Sequence, residues 1–331
     1  MLNRWLRARR EHVLIAAAVG SLCAGACTRI VSAPREPAPA ARLPAGVEAI
    51  SLLGDTLRAF PLTAEVRARY EAQLADALRA SERAPANAES IIWHGRRLAY
   101  LGRLREAIDV YTKGIALDPD NPWFYRHRGH RYISVREFDL AAADLEHAQR
   151  LVEGKLDEVE PDGQPNARNR PIGTLQSNIR YHLALAYYLQ GEYARALPVY
   201  RREMAEATND DRRVSIAHWQ YMSLRRLGRA NEAARALAPI RPGMDVIENG
   251  VYHRLLLMYK GLLPVDSVLS LGPTGEMSVT DATAAYGVAN WHLYNGHSAE
   301  AERLFRRIVA GGQWGAFGFI AAEAELARSS P

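Results

Sequence analysis

Between about residue 60 and residue 328 the apolar positions recur at helical spacing in short blocks, and the blocks come in pairs. Residues 88 to 121 and 122 to 155 lie over each other at an offset of 34, a period that marks stacked two-helix units rather than one long helix. Gly95, Ala107, Tyr111, Gly114 and Pro119 stand at positions eight, twenty, twenty-four, twenty-seven and thirty-two of the first unit, and Gly129, Ala141, Leu145 and Ala148 answer in the second. Small residues at eight, twenty and twenty-seven let helices approach closely, while a bulky residue at twenty-four fills the space between neighbouring units. Pro119 stops the second helix of its unit.

Later units are marked by Gly-(Glu/Arg/His)-x-x-x-Ala, a turn that ends one helix and opens the next. It occurs at Gly102 to Ala107, Gly191 to Ala196, Gly228 to Ala233 and Gly296 to Ala301. Aligning on it puts Tyr187 and Tyr200, Leu224 and Leu237, and Leu304 and Phe305 at positions that must be dry. A fifth, degenerate unit has an apolar first helix, Val251 to Tyr259. Its short second helix begins at Pro264, and a Gly272-Pro273-Thr274-Gly275 loop follows. Ala64 to Ala80 is predicted as a helix with Tyr70, Leu74 and Leu78 on one face. Trp314 to Arg328 is another, with Phe317, Ile320, Ala321 and Leu326 in register to cover the last hairpin.

These positions resemble the tetratricopeptide repeat, and the resemblance covers roughly residues 60 to 328. It implies an all-α fold, an α-solenoid of about six helical hairpins with capping helices at both ends. The expected segments are an N-terminal cap (47–87), units one and two (88–151), an inserted loop (152–174), units three and four (175–240), the degenerate unit five (241–279), unit six (280–312) and a C-terminal cap (313–331). The chain departs from the family pattern at position four of unit one, where Ile91 replaces the usual Trp and Trp93 stands two places on. It departs again at Tyr221, which takes the small position eight of unit four and predicts wider packing there. By resemblance, positions two, five, nine, twelve and thirteen of each first helix line a concave groove that binds a protein or peptide. The groove residues singled out are Arg96, Tyr100, Trp123, Arg126, His130 and Tyr181. Arginines beside aromatic rings suit an extended peptide with acidic groups. Tyr188 and Leu189 are expected to serve packing instead. The Lys and Asn set with which some repeats of this type grip an acidic chaperone tail is lacking.

The insertion carries Asp157-Glu158-Val159-Glu160-Pro161-Asp162-Gly163 and then Asn166-Ala167-Arg168-Asn169-Arg170-Pro171. A loop of that length in a compact array calls for a reason. It is either a lid over the groove, its acidic half drawn toward the groove arginines, or a surface excursion, and the sequence leaves both open.

At the N-terminus, Arg4, Arg7, Arg9 and Arg10 precede an apolar run from Val13 to Leu22 and then Ala24-Gly25-Ala26-Cys27, the order of a secretion signal over residues 1–26. The run is short of the roughly 20 residues of a spanning helix. Small residues before Cys27 resemble the lipobox of bacterial lipoproteins, although Ala24 stands where Leu is usual, and simple cleavage near Ala26 is the alternative. The resemblance implies lipidation at Cys27 and a membrane anchor. With Thr28 and Arg29 rather than Asp next, it implies the outer membrane facing the periplasm. The two cysteines, Cys23 and Cys27, both fall here, so the body holds no disulfide. Residues 27–46, rich in Pro and Ala, are a predicted tether.

Composition excludes one class of partner. Of 42 basic and 37 acidic residues, four Arg and one Glu lie in residues 1–26, which leaves 38 against 36, a net +2 and no nucleic-acid footprint. No cofactor is implied, since no H-E-x-x-H, C-x-x-C, G-x-S-x-G or phosphate-cradling loop occurs. Two functional classes follow. The first is a non-enzymatic adaptor of the cell envelope, with no catalytic and no metal residues. The alternative is an envelope hydrolase or metal-dependent enzyme using His127 and His130, three apart on one helix, with the 152–174 loop as lid.

Overall fold

The computed structural model describes residues 43–269 and 277–329. The expected signal segment, Cys27, most of the Pro/Ala tether and the Gly272 to Gly275 loop lie outside the described residues. The described chain enters through a small antiparallel hairpin, β1 Ala49–Ile50 with β2 Thr56–Leu57. A lone helix follows, α1 Ala64–Arg83, whose first turn is closed by the Thr63 hydroxyl accepting from Val66 N.

Six hairpins are then stacked. They are α2 Ala88–Tyr100 with α3 Leu104–Leu117, α4 Pro122–Ser134 with α5 Phe138–Val152, and α6 Leu175–Leu189 with α7 Tyr193–Glu206. After them come α8 Asp210–Arg226 with α9 Ala230–Ala236, α10 Gly250–Tyr259 with the single turn α11 Val265–Val268, and α12 Val279–Tyr294 with α13 Ser298–Ala310. A final helix, α14 Phe317–Ser329, ends the described chain. The chain is therefore an all-α solenoid of tetratricopeptide-type hairpins. First helices begin where the sequence supplies a cap: Asn87, Asn121 and Asn209 accept from backbone amides, Pro122 takes the first position of α4, and Thr174 and Ser278 head capping boxes. Position eight is small for the expected reason, because a Cβ on Gly95 would stand 2.5 Å from the Tyr111 ring. Tyr221, at the same position of unit four, is buried and stacks on Tyr259 at 4.6 Å between centroids.

The turn inside each hairpin needs a left-handed residue. Gly102, Gly191, Gly228, Gly261 and Gly296 supply it, with φ between 72° and 87°. Unit two places Arg136 there, at φ 68°, where a side chain costs roughly 1–2 kcal/mol of backbone energy. The reason lies 187 residues away. The Arg136 guanidinium is buried against Glu323 of α14, with Nη2 donating to Oε2 at 2.5 Å. Glu323 also accepts from the amide of Leu52 beside the hairpin.

That contact adds to the covering of the last hairpin expected of the C-terminal helix. It does more than cover α13, since it crosses back to the earlier units. Arg328 donates to the Leu189 carbonyl at 2.8 Å, Glu325 pairs with Arg226 at 2.6 Å, and the Trp314 indole donates to the Arg58 carbonyl at 2.8 Å. The first helices of units three, four and six are consequently buried nearly all round, α8 from Asp211 to Leu224 and α12 from Ala282 to Asn290. Tyr188 of α6 meets Tyr286 of α12, hydroxyl to hydroxyl at 2.7 Å, and accepts from Asn290 at 2.8 Å, with Trp219 against its ring at 5.0 Å. Tyr188 and Leu189 are thus packing residues.

Breaking the Arg136–Glu323 pair by Glu323→Ala strands a buried guanidinium and is expected to cost about 3 kcal/mol or more in urea unfolding. The double variant Arg136→Gly, Glu323→Leu removes the charge and the backbone strain together, and should recover most of that loss. An unchanged midpoint for Glu323→Ala would show that the pair does not hold α14.

Candidate functional site

The concave face of units one to three is covered by the inserted segment, which runs across it as a strap. Its entry is fixed at the start of α6. Asp157 Oδ1 accepts from Gln176 N at 2.9 Å, Asp157 Oδ2 accepts from the Thr174 hydroxyl at 2.6 Å, and Val159 pairs with Thr174 in an isolated antiparallel bridge. Asp157 thereby satisfies one of the amide groups that a helix N-terminus leaves without partners. Extended backbone then crosses the groove. The Glu160 carboxylate accepts from Arg126 Nε of α4 and from Asn178 Nδ2 of α6, both at 2.8 Å. The carbonyls of Pro161 and Gly163 accept from Arg96 at 2.9 Å and Arg97 at 3.1 Å, both on α2. Gln164 donates to the Tyr70 hydroxyl of α1 at 2.6 Å.

The far end of the strap turns at Asn166 to Arg170 and is latched to the segment before α10. Asn166 donates to Glu248 at 2.7 Å and Arg168 to Asp245 at 2.7 Å. That segment is itself pinned by Asp211, a buried carboxylate that accepts from the amides of Ile247, Glu248 and Asn249 at 2.8 to 2.9 Å. The two ends of the strap differ in strength. The Arg126–Glu160 side chains are 7% and 8% exposed, so parting them leaves a buried charge unpaired. Arg168 and Asp245 are more than half exposed, and such a pair contributes about 0–1 kcal/mol.

The six groove residues fall into two groups. Arg96, Tyr100 and Trp123 are half-buried; Arg96 holds the strap, and Gly163 of the strap lies directly over the Tyr100 hydroxyl. Arg126 is buried, while His130 and Tyr181 are half-buried and face α14. Arg126 is spent on Glu160. His130 lies between His182 at 4.3 Å and Phe317 of α14 at 5.5 Å, and the Tyr181 hydroxyl accepts from the Trp219 indole at 3.0 Å. At these three positions the groove is shared with the strap, which pairs with Arg126, and with Phe317 of α14, which packs against His130 and Tyr181. Sequence reading missed Asn178 and Arg97 as strap ligands and Phe317 as a groove residue. Asn178 did stand at a groove position, whereas nothing in the local pattern marks Phe317, because only the return of α14 brings it there.

Between strap, α6, α8 and Phe317 a cavity of about 380 Å³ remains, lined by Asp162, Asn178, Tyr181, Arg212 and Tyr252 among others. Arg212 is committed to Glu203, which also takes Arg180 at 2.6 Å. Burial lifts the Asp162 and Glu248 carboxyls above their usual range, and Asp162 adds to the rise at Glu248.

His127 and His130 do not converge. His127 is stacked on Tyr111 and Trp123, while His130 faces His182 and Phe317. Among the described residues no group of three or more His, Cys, Asp or Glu side chains is placed to hold a metal ion. No helix among them is long and apolar enough to cross a membrane.

Residues 95–133 match the family model described as TPR repeat. Over 137 residues the chain is 28% identical to DnaJ homolog subfamily C member 3 of Gallus gallus, an alignment that covers 37% of this chain and 27% of that protein, so the chain spans little more than a quarter of that relative's length. Solved structures similar to it include a thermophilic TPR protein of Thermus thermophilus (18% identity, 58% of this chain, 92% of that one, TM-score 0.43). A tetratricopeptide repeat protein of Parabacteroides merdae is also similar (11% identity, 78% and 79%, TM-score 0.42). So is YrrB, called a TPR protein with an unusual peptide-binding site (17% identity, 70% and 90%, TM-score 0.40).

The buried histidines make the fold sensitive to acid. Burial holds His127 and His182 well below the ordinary imidazole range, helped by the charge on Arg126, and burial alone takes His218 down to about 3. Folding keeps these rings neutral, so below about pH 6.5 the unfolded chain binds more protons than the folded one, and stability present above that pH is lost as the pH falls. From pH 6.5 to 5 the urea midpoint should fall steadily, as the unfolding free energy drops at a rate approaching about 1.4 kcal/mol per histidine for each further pH unit. A midpoint that stays level over that window would show that the rings titrate normally.

Proposed function

We propose that this chain, a tetratricopeptide-repeat protein, is a non-catalytic adaptor of the bacterial cell envelope that takes an extended acidic segment of a protein partner on α2, α4 and α6, in place of its own strap. One observation carries the reading. The strap is itself an extended acidic segment lying there, its carbonyls taken by Arg96 and Arg97 and its Glu160 carboxylate by Arg126 and Asn178. Main-chain contacts of this kind accept many sequences, and the buried guanidinium selects for one carboxylate. The partner competes with a segment held in cis at a high effective concentration, so binding is weak until the exposed latch at Asp245 and Glu248 opens.

The envelope address rests on the N-terminal residues. A basic stretch, an apolar run and small residues before Cys27 support export, a lipid on that cysteine and attachment to the outer membrane on its periplasmic side, with residues 27–46 as the tether.

Two measurements test the reading. A peptide of residues 157–164 should bind in trans to a variant whose residues 157–170 are replaced by a flexible linker, and Arg126→Glu in that background should weaken it at least about tenfold. A peptide that binds neither, or both equally, removes the groove from the proposal. Separately, the full chain expressed in a double-membraned bacterium should incorporate labelled fatty acid and sediment with membranes, and Cys27→Ser should release it. Membrane association that survives without label would remove the lipid anchor.

A further inference from the structure

Beside the strap, the first turns of α2 and α4 enclose a second cavity of about 320 Å³. Ile92 and Trp93 of α2 and Trp123 of α4 wall it, and Val159 and Pro161 of the strap form its lip. Its polar lining comes from Glu89, Arg96, Glu158 and His127, and of these His127 is the buried one. The His127 Nε2 has no hydrogen-bond partner, and the nearest carboxylate oxygen, on Glu160, is 4.0 Å away. The ring lies nearly parallel to those of Tyr111 at 5.6 Å and Trp123 at 6.2 Å. A buried polar nitrogen left unpaired is costly, and the strap, which satisfies Arg96, Arg97, Arg126 and Asn178, leaves this one unmet.

We propose that this slot is a recognition subsite for one phenol-bearing side chain, a tyrosine of the partner, with its ring against Trp93 and Trp123 and its hydroxyl on His127 Nε2. The aromatic walls favour a flat ring. The hydroxyl is selected by the imidazole, because a neutral ring nitrogen donates in one tautomer and accepts in the other, and a phenol can answer either, whereas an indole only donates. The inference rests on the scaffold reading for the source of the tyrosine, but the slot belongs to α2 and α4 and can be probed without any peptide.

The test uses the full chain with p-cresol and toluene as probes, followed through the indole resonances of Trp93 and Trp123. Both probes should shift those two resonances, and p-cresol should bind about fivefold more tightly, the factor that one added hydrogen bond supplies. In His127→Phe the preference should vanish while toluene still binds. Equal affinity for the two probes in the unaltered protein overturns the role of His127, and resonances that do not move overturn the slot. Binding of p-cresol with failure of the 157–164 peptide would keep the slot and remove the groove reading. The reverse result would do the opposite.

Discussion

Burying a guanidinium requires a carboxylate beside it, and this molecule uses that requirement to join parts of the chain that repeat stacking alone would leave apart. A two-helix unit contacts its neighbours and nothing further, so an array of such units is open by construction. Here Arg136 of unit two meets Glu323 of α14, Arg226 of unit four meets Glu325, and Arg126 of unit two meets Glu160 of the strap. A fourth cluster, Arg180 and Arg212 around Glu203, ties units three and four. Such pairs contribute little net energy against a well-packed apolar alternative, yet breaking one is costly, so they specify which segments meet more than they raise stability. Arginine suits the task better than lysine, because its planar fork can hold a carboxylate and a carbonyl at once, as Arg136 does with Glu323 and the Ser134 carbonyl.

What the sequence made legible follows the same division between local and distant. The hairpins were readable because their determinants are local: a turn glycine, an Asn or Thr cap, a small residue under a bulky one. Unit two lacked the turn glycine and was recovered only through its 34-residue register, although Arg136 has a structural reason that no local pattern contains. The groove residues were legible as positions on a face, since helical periodicity assigns faces. Their occupants were not. Phe317 reaches the groove and Glu323 reaches the turn of unit two because α14 returns across the stack, and the apolar spacing of that helix states that it is buried without stating against what.

The strap stands between these cases. Its charge suggested an attraction to the groove arginines, and opposite charges a short chain distance apart are among the few long-range features a sequence does display. The backbone part of the interaction was invisible, because a carbonyl on Arg96 or Arg97 could come from any residue type. For the same reason the strap's hold on α2 depends on its extended shape more than on its side chains, while its hold on α4 depends on one carboxylate.

That asymmetry sets how the groove can open. The exposed contacts at Asp245 and Glu248 and the hydrogen bond to Tyr70 can be exchanged for water at small cost, so the tip of the strap is the first part to leave. The stem is held harder than the tip, because its departure takes the Glu160 carboxylate from a guanidinium that is only 7% exposed. On the adaptor reading proposed above, a segment that merely fits the groove would displace the tip and stop, whereas one carrying an acidic residue in register would complete the exchange without an unpaired intermediate. On that same reading, selectivity for an acidic partner would then arise from the cost of removing the strap as much as from the contacts made afterwards.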